Sequence, residues 1–294
     1  MRKKFFNYRL IINLFFILMC VTFIVPMLYV ISISFSSNAS IDASGYSLIP
    51  TEWSLDAYRY VFRNPEQVLN SYKTTIFASV VGSFLSVFVM ALMAYPLSRP
   101  NFVFKKPITF FVFFTMLFGG GLIPSYILNT QYLGLANSIW IYILPGLASA
   151  WHIIIIRTFF QQLPPALVEA AKIDGAREMR VFFTIILPLS KPVLASVLFM
   201  MLTAKWNDWQ TSLIYIRDET LYTLQYTLQK VLNEVEFLKN LAKSGEFNVT
   251  INADVPTEPM RFALVIVAAG PMLVVFPFFQ KYFSKGLTVG AVKG

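Results

Sequence analysis

A single histidine, His152, and a single cysteine, Cys20, leave little catalytic chemistry open to this 294-residue chain. One histidine cannot supply the paired H-E-x-x-H helix of a zinc hydrolase. Neither a G-x-S-x-G nucleophile elbow nor a Gly-rich Walker sequence is present, so serine hydrolysis and ATP hydrolysis by those routes are excluded. His152 lies in an apolar run and reads as a packed or hydrogen-bonded residue. Cys20 reads as a small apolar residue facing lipid or a neighbouring helix. No disulfide can form within the chain. Leu18 and Met19 are not the small residues a lipoprotein cleavage site needs, and the run around them is too long for a cleaved signal peptide. No catalytic, metal-binding or cofactor-binding residue is expected.

The densest pattern is the segment 163–192, LPPALVEAAKIDGAREMRVFFTIILPLSKP. Pro164 and Pro165 suit a first helical turn, where a missing N–H would be unpaired in any case. The helix is expected to run to about Ile173. Asp174-Gly175 then stops it, because glycine accepts the left-handed conformation of a C-terminal cap. Leu163, Leu167, Ala170 and Ile173 fall on one stripe, and Ala170-Ala171 leave the backbone open to close packing. Either an interfacial connector or a helix that fits a groove on another protein would look like this.

These residues are positioned by a chain that is 56% hydrophobic and only 13% charged, against roughly 25% charged in soluble domains. The expected fold is an all-α integral membrane protein of six transmembrane helices, near 10–33, 74–97, 107–128, 136–157, 184–205 and 261–283. With both termini cytoplasmic, fifteen of the twenty-four Lys and Arg fall inside and only three acids, Glu169, Asp174 and Glu178, join them. The short inner loops are thus strongly positive, as the orientation rule requires. The net charge of +9 therefore reports topology and not nucleic-acid binding. Residues 1–9 form the inner N-terminus, 34–73 an outer loop with a short amphipathic stretch at Leu55–Val61, 158–183 an inner loop, 206–260 an outer loop and 284–294 an inner tail. An apolar pattern at Leu221, Leu224, Leu228, Leu232, Val235 and Leu238 predicts an amphipathic helix in the long outer loop. Trp53, Trp140, Trp206 and Trp209 fall near the outer ends of spans, and Trp151 breaks that pattern.

Gly119-Gly120-Gly121 with Pro124 should interrupt or loosen the third span, which fits either the lining of a pathway or close helix packing. The span cores hold almost no charge, whereas an ion-coupled carrier usually displays ionisable residues there. A polytopic membrane enzyme has similar composition but would need a catalytic set that is missing.

Glu169-Ala170-Ala171, Gly175 and Ile185-x-Leu187-Pro188 together resemble, at the right spacing, the EAA motif of permease subunits of ABC importers. Ser34-Phe35-Ser36-Ser37, Phe118-Gly119-Gly120-Gly121-Leu122-Ile123-Pro124, Trp206-Asn207-Asp208-Trp209 and the tail from Gln280 to Gly294 look closest to a carbohydrate-uptake subgroup serving oligosaccharides. The resemblance implies a type I importer permease fold in a bacterial cytoplasmic membrane. It further implies a second related permease, two ATP-binding subunits that carry ATP and Mg, and an extracytoplasmic sugar-binding protein. The loop 158–183 would then dock on the ATPase as a coupling helix, with Glu169, Ala170, Ala171, Asp174, Gly175, Leu187 and Pro188 as its residues. Gly290 and Gly294 in the tail would add a second contact, unless the tail is a solvated terminus. Trp206, Asn207, Asp208 and Trp209, with Gly119 and Gly120, are the candidate path for the solute: aromatic faces stack on pyranose rings and amide or carboxylate groups bind hydroxyls. Two tryptophans that merely anchor a span would read the same way. A non-sugar solute is the alternative cargo.

Overall fold

The computed structural model describes residues 2–244 and 257–286, and every regular element among them is helical. In chain order these are α1 (Arg2–Ser34), α2 (Asn38–Ser44), α3 (Asp56–Val61), α4 (Pro65–Ser98), α5 (Lys105–Leu117), α6 (Leu122–Ile127), α7 (Ala150–Gln162), α8 (Pro165–Ile173), α9 (Glu178–Val181), α10 (Leu187–Leu189), α11 (Lys191–Trp206), α12 (Gln210–Tyr215), α13 (Leu224–Ser244) and α14 (Thr257–Gly286). Among the described residues three helices are long and apolar enough to cross a membrane: Tyr8–Ser34, Pro65–Ser98 and Glu258–Gln280. Two bent pairs raise the number to five if each is one span. The chain divides into two compact units, 1–65 with 228–271 and 66–227 with 272–294.

In the first unit the segment that follows α1 folds back on its end. Ser36 and Trp53 form an antiparallel bridge, the Ser54 amide donates to the Phe35 carbonyl at 2.8 Å, and the Phe35 ring lies 5.0 Å from that of Tyr58. The amphipathic stretch 55–61 folds as the helix α3. In the same unit Arg261 of α14 pairs with Glu236 of α13 at 2.7 Å.

The second unit is organised by α4, whose buried face carries Ser71, Thr74, Thr75, Ser79, Ser83 and Ser86. Small hydroxyl residues let helices approach closely and supply hydrogen bonds where water is absent. Ser71 bonds Thr227 at 2.7 Å, and Thr75 Oγ1 accepts from the Leu224 amide at 2.7 Å, satisfying one orphan donor at the head of α13. Farther along α4, Met90, Ala91, Ala94, Tyr95 and Leu97 join Ile153, Ile156 and Phe160 of α7, Val168 of α8 and Phe182 in the main core. Phe199 of α11 meets Phe276 and Phe279 of α14 with ring centroids 5.6 and 5.4 Å apart.

Three departures from the expected spans have local causes. The third run is broken as anticipated: α5 and α6 bend by 113° across Gly119–Gly121, and Gly121 has φ +81°. The fifth run bends by 78° between α10 and α11. Upstream, Phe182–Ile186 forms a π-turn, and Pro188 and Pro192 each lack the N–H that a regular helix would use. The fourth run, 136–157, is not one helix. It contains a 3₁₀ turn at Ile139–Tyr142, then Pro145 and Gly146, and only Ser149 opens α7. Proline disfavours a helical residue before it, so the apolar run is split although its hydropathy is continuous. α7 continues to Gln162, so residues 158–162 of the expected loop 158–183 are helical. His152 Nδ1 lies 2.9 Å from Ser149 Oγ, the hydrogen-bonded histidine that its apolar setting suggested.

Candidate functional site

The segment 163–192 builds the best-defined candidate surface. Pro165 occupies the first helical turn of α8, as its fixed φ favours. At the other end the Ala176 amide donates to the Ala171 carbonyl at 2.9 Å and the Gly175 amide to the Lys172 carbonyl at 3.0 Å. That pair is a Schellman cap, and it requires the left-handed φ of +77° that Gly175 adopts. A Cβ at Gly175 would meet nothing within 4 Å, so the demand for glycine is one of backbone conformation and not of space.

The two faces of α8 are sharply different. Val168 is 7% exposed and packs with Ala171 and Leu163 against the main core. Ile173 is 86% exposed, and Leu167, Glu169 and Ala170 are exposed as well. Ala171, expected beside Ala170 on a groove-fitting surface, therefore turns inward. The outward surface consists of Leu167, Glu169, Ala170 and Ile173, with Asp174 and Gly175 at its end. Leu187 is half-buried against the core, and Pro188 follows it beyond the π-turn.

Sequence reading missed the clamp that holds this helix. The Glu178 carboxylate accepts from Tyr95 Oη of α4 at 2.6 Å and pairs with Lys172 Nζ of α8 at 2.6 Å. The Lys172 ammonium, and then the Tyr95 hydroxyl, hold the Glu178 carboxyl below its usual range. A cavity of about 500 Å³ lies beside the clamp, lined by Tyr95, Arg99, Phe102, Val168, Glu169 and Lys172. Arg99 stacks over the Tyr95 ring at 4.5 Å, and its buried Nε and Nη2 have no hydrogen-bond partner among the described residues. Tyr95 and Glu178 are separated in sequence by 83 positions and by the helices α5 to α8, which is why spacing alone could not pair them.

The cluster 206–209 is divided. Trp206 is only 5% exposed and offers no free ring face, which removes it as a stacking platform. Trp209 is 40% exposed. Asn207 Nδ2 donates to the Thr203 carbonyl at 2.9 Å, and its Oδ1 accepts from Gln225 at 3.2 Å. Asp208 receives the Thr211 amide at 3.0 Å and the Thr211 hydroxyl at 2.6 Å, in the first turn of α12. Asn207, Asp208 and Trp209 line a cavity of about 380 Å³ together with Lys205 and Gly146, two residues that sequence reading did not single out. Gly119 and Gly120 are not among the residues that line it. Their exposed positions, with nothing within 4 Å of a Cβ at Gly119, give no support to close helix packing there. Gly290 and Gly294 lie outside the described residues. Among the described residues no group of three or more His, Cys, Asp or Glu is placed to hold a metal.

Residues 74–289 match the family described as binding-protein-dependent transport system inner membrane component. The chain is 37% identical over 282 residues to the polygalacturonan/rhamnogalacturonan transport system permease protein YtcP of Bacillus subtilis (strain 168), with 96% of this chain and 95% of that protein covered. It is 40% identical over 271 residues to the protein LplC of the same organism, covering 92% and 90%. Among solved structures it matches a chain of a bacterial ABC transporter involved in the import of the acidic polysaccharide alginate, with a TM-score of 0.79, 27% identity, and 96% and 98% of the two chains covered. The capped α8, the broken apolar helices and the match over most of the length agree: the chain belongs to the binding-protein-dependent transport system inner membrane components, and is a multi-pass transport subunit of a bacterial cell membrane and not an enzyme.

Proposed function

We propose that this subunit forms, with a second related permease, the path by which an ATP-driven importer carries an oligosaccharide into the cell. Two ATP-binding subunits, which hold ATP and Mg, and an extracytoplasmic sugar-binding protein complete the assembly. The observation that carries the coupling role is the outward face of α8: an isoleucine 86% exposed beside Glu169 and Ala170, on a helix whose other face is locked into the core. An exposed apolar stripe on a rigid support is what a partner's groove takes up. ATP-driven closure of the partner subunits would move α8 as a body, and the Glu178 clamp to Tyr95 would pass that movement to α4. Leu187 and Pro188 sit at the π-turn before α11, where the same push can alter the bend of the fifth span. Asn207, Asp208 and Trp209 are the nearest candidates for solute contact, and Gly290 and Gly294 for a second contact with the ATPase. A carbohydrate cargo is supported by the names of the related permeases.

Six crossings with both termini inside accommodate these elements: α1, α4, the α5–α6 pair, the 3₁₀ turn with α7, the α10–α11 pair and α14. The outer loops are then 34–73 and 206–260, and α8 faces the cytoplasm. Membrane-impermeant thiol labelling tests this, because Cys20→Ser leaves a chain with no other cysteine. Single cysteines at Ser44 and Asp218 are expected to react from outside and one at Ala166 only after permeabilisation; labelling of Ala166→Cys from outside would overturn the topology. The function itself is tested by reconstituting the subunit with its partner permease and ATPase in proteoliposomes. ATP hydrolysis should rise when sugar-loaded binding protein is added, with accumulation of the sugar. Stimulation by a loaded amino-acid or peptide receptor, and none by sugar, would keep the importer and replace the cargo.

A further inference from the structure

Three helices of the second unit enclose a groove of about 450 Å³. α11 contributes Lys191, Leu194, Ala195 and Leu198, whose i, i+3, i+4 and i+7 spacing places them on one face. α4 adds Phe84, and α14 adds Phe278 and Phe279. Phe84 is 59% exposed and Phe278 68%, so the aromatic rim opens outward from this chain. The rings of Phe199 and Phe279, 5.4 Å apart, join α11 to α14 beside it.

Lys191 is the one charged residue among the described residues of the lining, and among the described residues it makes no ion pair. None of the three helices offers it a counter-charge. Their only acids are Glu66 and Glu258, each in the first turn of its helix and about 27 Å or more along it from the groove residues. Beyond the groove the chain from Gln280 to Gly294 brings Lys281, Lys285 and Lys293 and no acid. Glu178, the acid that precedes Lys191 in sequence, is held by Tyr95 and Lys172. Lys191 to Leu198 spans about 10 Å of helix, so the groove is an apolar slot with a cation at one end. That order of charge and hydrocarbon is the order of a phospholipid, and basic pockets between spans on the cytoplasmic side take anionic headgroups. Lys191 also follows the 78° bend between α10 and α11, so an occupant of the groove lies against that hinge.

We propose that the groove holds an anionic phospholipid of the inner leaflet, with its phosphate on Lys191 and an acyl chain along Leu194, Ala195 and Leu198, and that this lipid braces α11 at its hinge. The proposal rests on the topology and coupling reading above and adds a lipid requirement to them. A helix of the second permease would match the apolar walls, but it would have to bring an acid to the level of Lys191. An anionic lipid carries its charge at that level in every copy.

The test uses the complete transporter in nanodiscs, photolabelled with phosphatidylglycerol or phosphatidylcholine that carries a diazirine midway along an acyl chain. Phosphatidylglycerol should label the peptides that contain Leu194 and Phe278 about fivefold more than phosphatidylcholine, the preference one lysine gives at an anionic headgroup. Lys191→Gln should erase that preference and Lys191→Arg should keep it. Ala195→Phe keeps the charge and fills the slot, so it should lower labelling by both lipids; it decides the case if the glutamine variant fails to assemble. Equal labelling by both lipids in the wild type, or a preference that survives Lys191→Gln, would overturn the proposal. Competition by excess inorganic phosphate would assign Lys191 to a free anion and overturn it too. So would benzoylphenylalanine in place of Phe278 that cross-links to the second permease and not to lipid. Stimulation of ATP hydrolysis by sugar-loaded binding protein should be stronger with phosphatidylglycerol, and Lys191→Gln should lose the difference; stimulation indifferent to the lipid removes the bracing. The labelling needs no solute. A transporter that labels as expected yet never responds to a sugar-loaded receptor keeps the lipid site and removes the oligosaccharide reading.

Discussion

Replacing Gly175 with valine is expected to abolish sugar uptake while leaving the subunit in the membrane at wild-type level. The Schellman cap needs the residue after Asp174 at φ +77°, and a β-branched side chain is strained there although the space around it is empty. Strain of that kind costs about 1–3 kcal/mol. The core beneath α8 does not depend on Gly175, so the chain relieves the strain where it is weakest, by unwinding the last turn. That turn carries Lys172 and Ile173. Lys172 would then leave Glu178, and Ile173 would leave the outward face. Basal ATP hydrolysis of the assembled complex should persist, and its stimulation by sugar-loaded binding protein should vanish. Gly175→Asn should keep a substantial part of the stimulated rate, because asparagine tolerates the left-handed region far better than valine. Full uptake in the valine variant would show that the cap has no part in coupling.

How far α8 could be read in advance depended on which constraint was local. Pro165 and Gly175 mark the helix ends through their own backbone preferences, and both ends fall where expected. The direction each side chain faces is a tertiary property. The stripe of Leu163, Leu167, Ala170 and Ile173 describes one side of a helix but does not say whether that side meets the core. In the structure Val168 and Ala171 point in, and most of the stripe points out. The fourth apolar run shows the same division at larger scale. Hydropathy averaged over 136–157 is insensitive to the order of residues, whereas Pro145-Gly146 acts through order alone. Gly119–Gly121 was legible because three adjacent glycines change composition as well as conformation. Lys205 was passed over because a lysine at the end of an apolar run looks like a boundary residue. Only Gly82, 123 positions earlier, shows that its stem is packed inward.

Ile173→Asp should separate docking from folding. Ile173 is 86% exposed and Val168 only 7%, although both are β-branched residues of one short helix. An aspartate at 173 remains in water in the isolated subunit, so its expression and thermal stability should match wild type. Burying an isoleucine side chain at an interface contributes about 1.5–3 kcal/mol, and burying a carboxylate in its place adds an opposing cost. Affinity of the permease pair for the ATPase subunit, titrated in nanodiscs, should therefore fall more than about tenfold. The companion Val168→Asp places a charge in the main core and should prevent stable accumulation of the subunit before any partner is met. If Ile173→Asp binds the ATPase as wild type does, the outward face of α8 is not the docking surface. The buried Arg99 donors, which have no hydrogen-bond partner among the described residues, and the cavity they share with Glu169 would then be the next place to look for the contact.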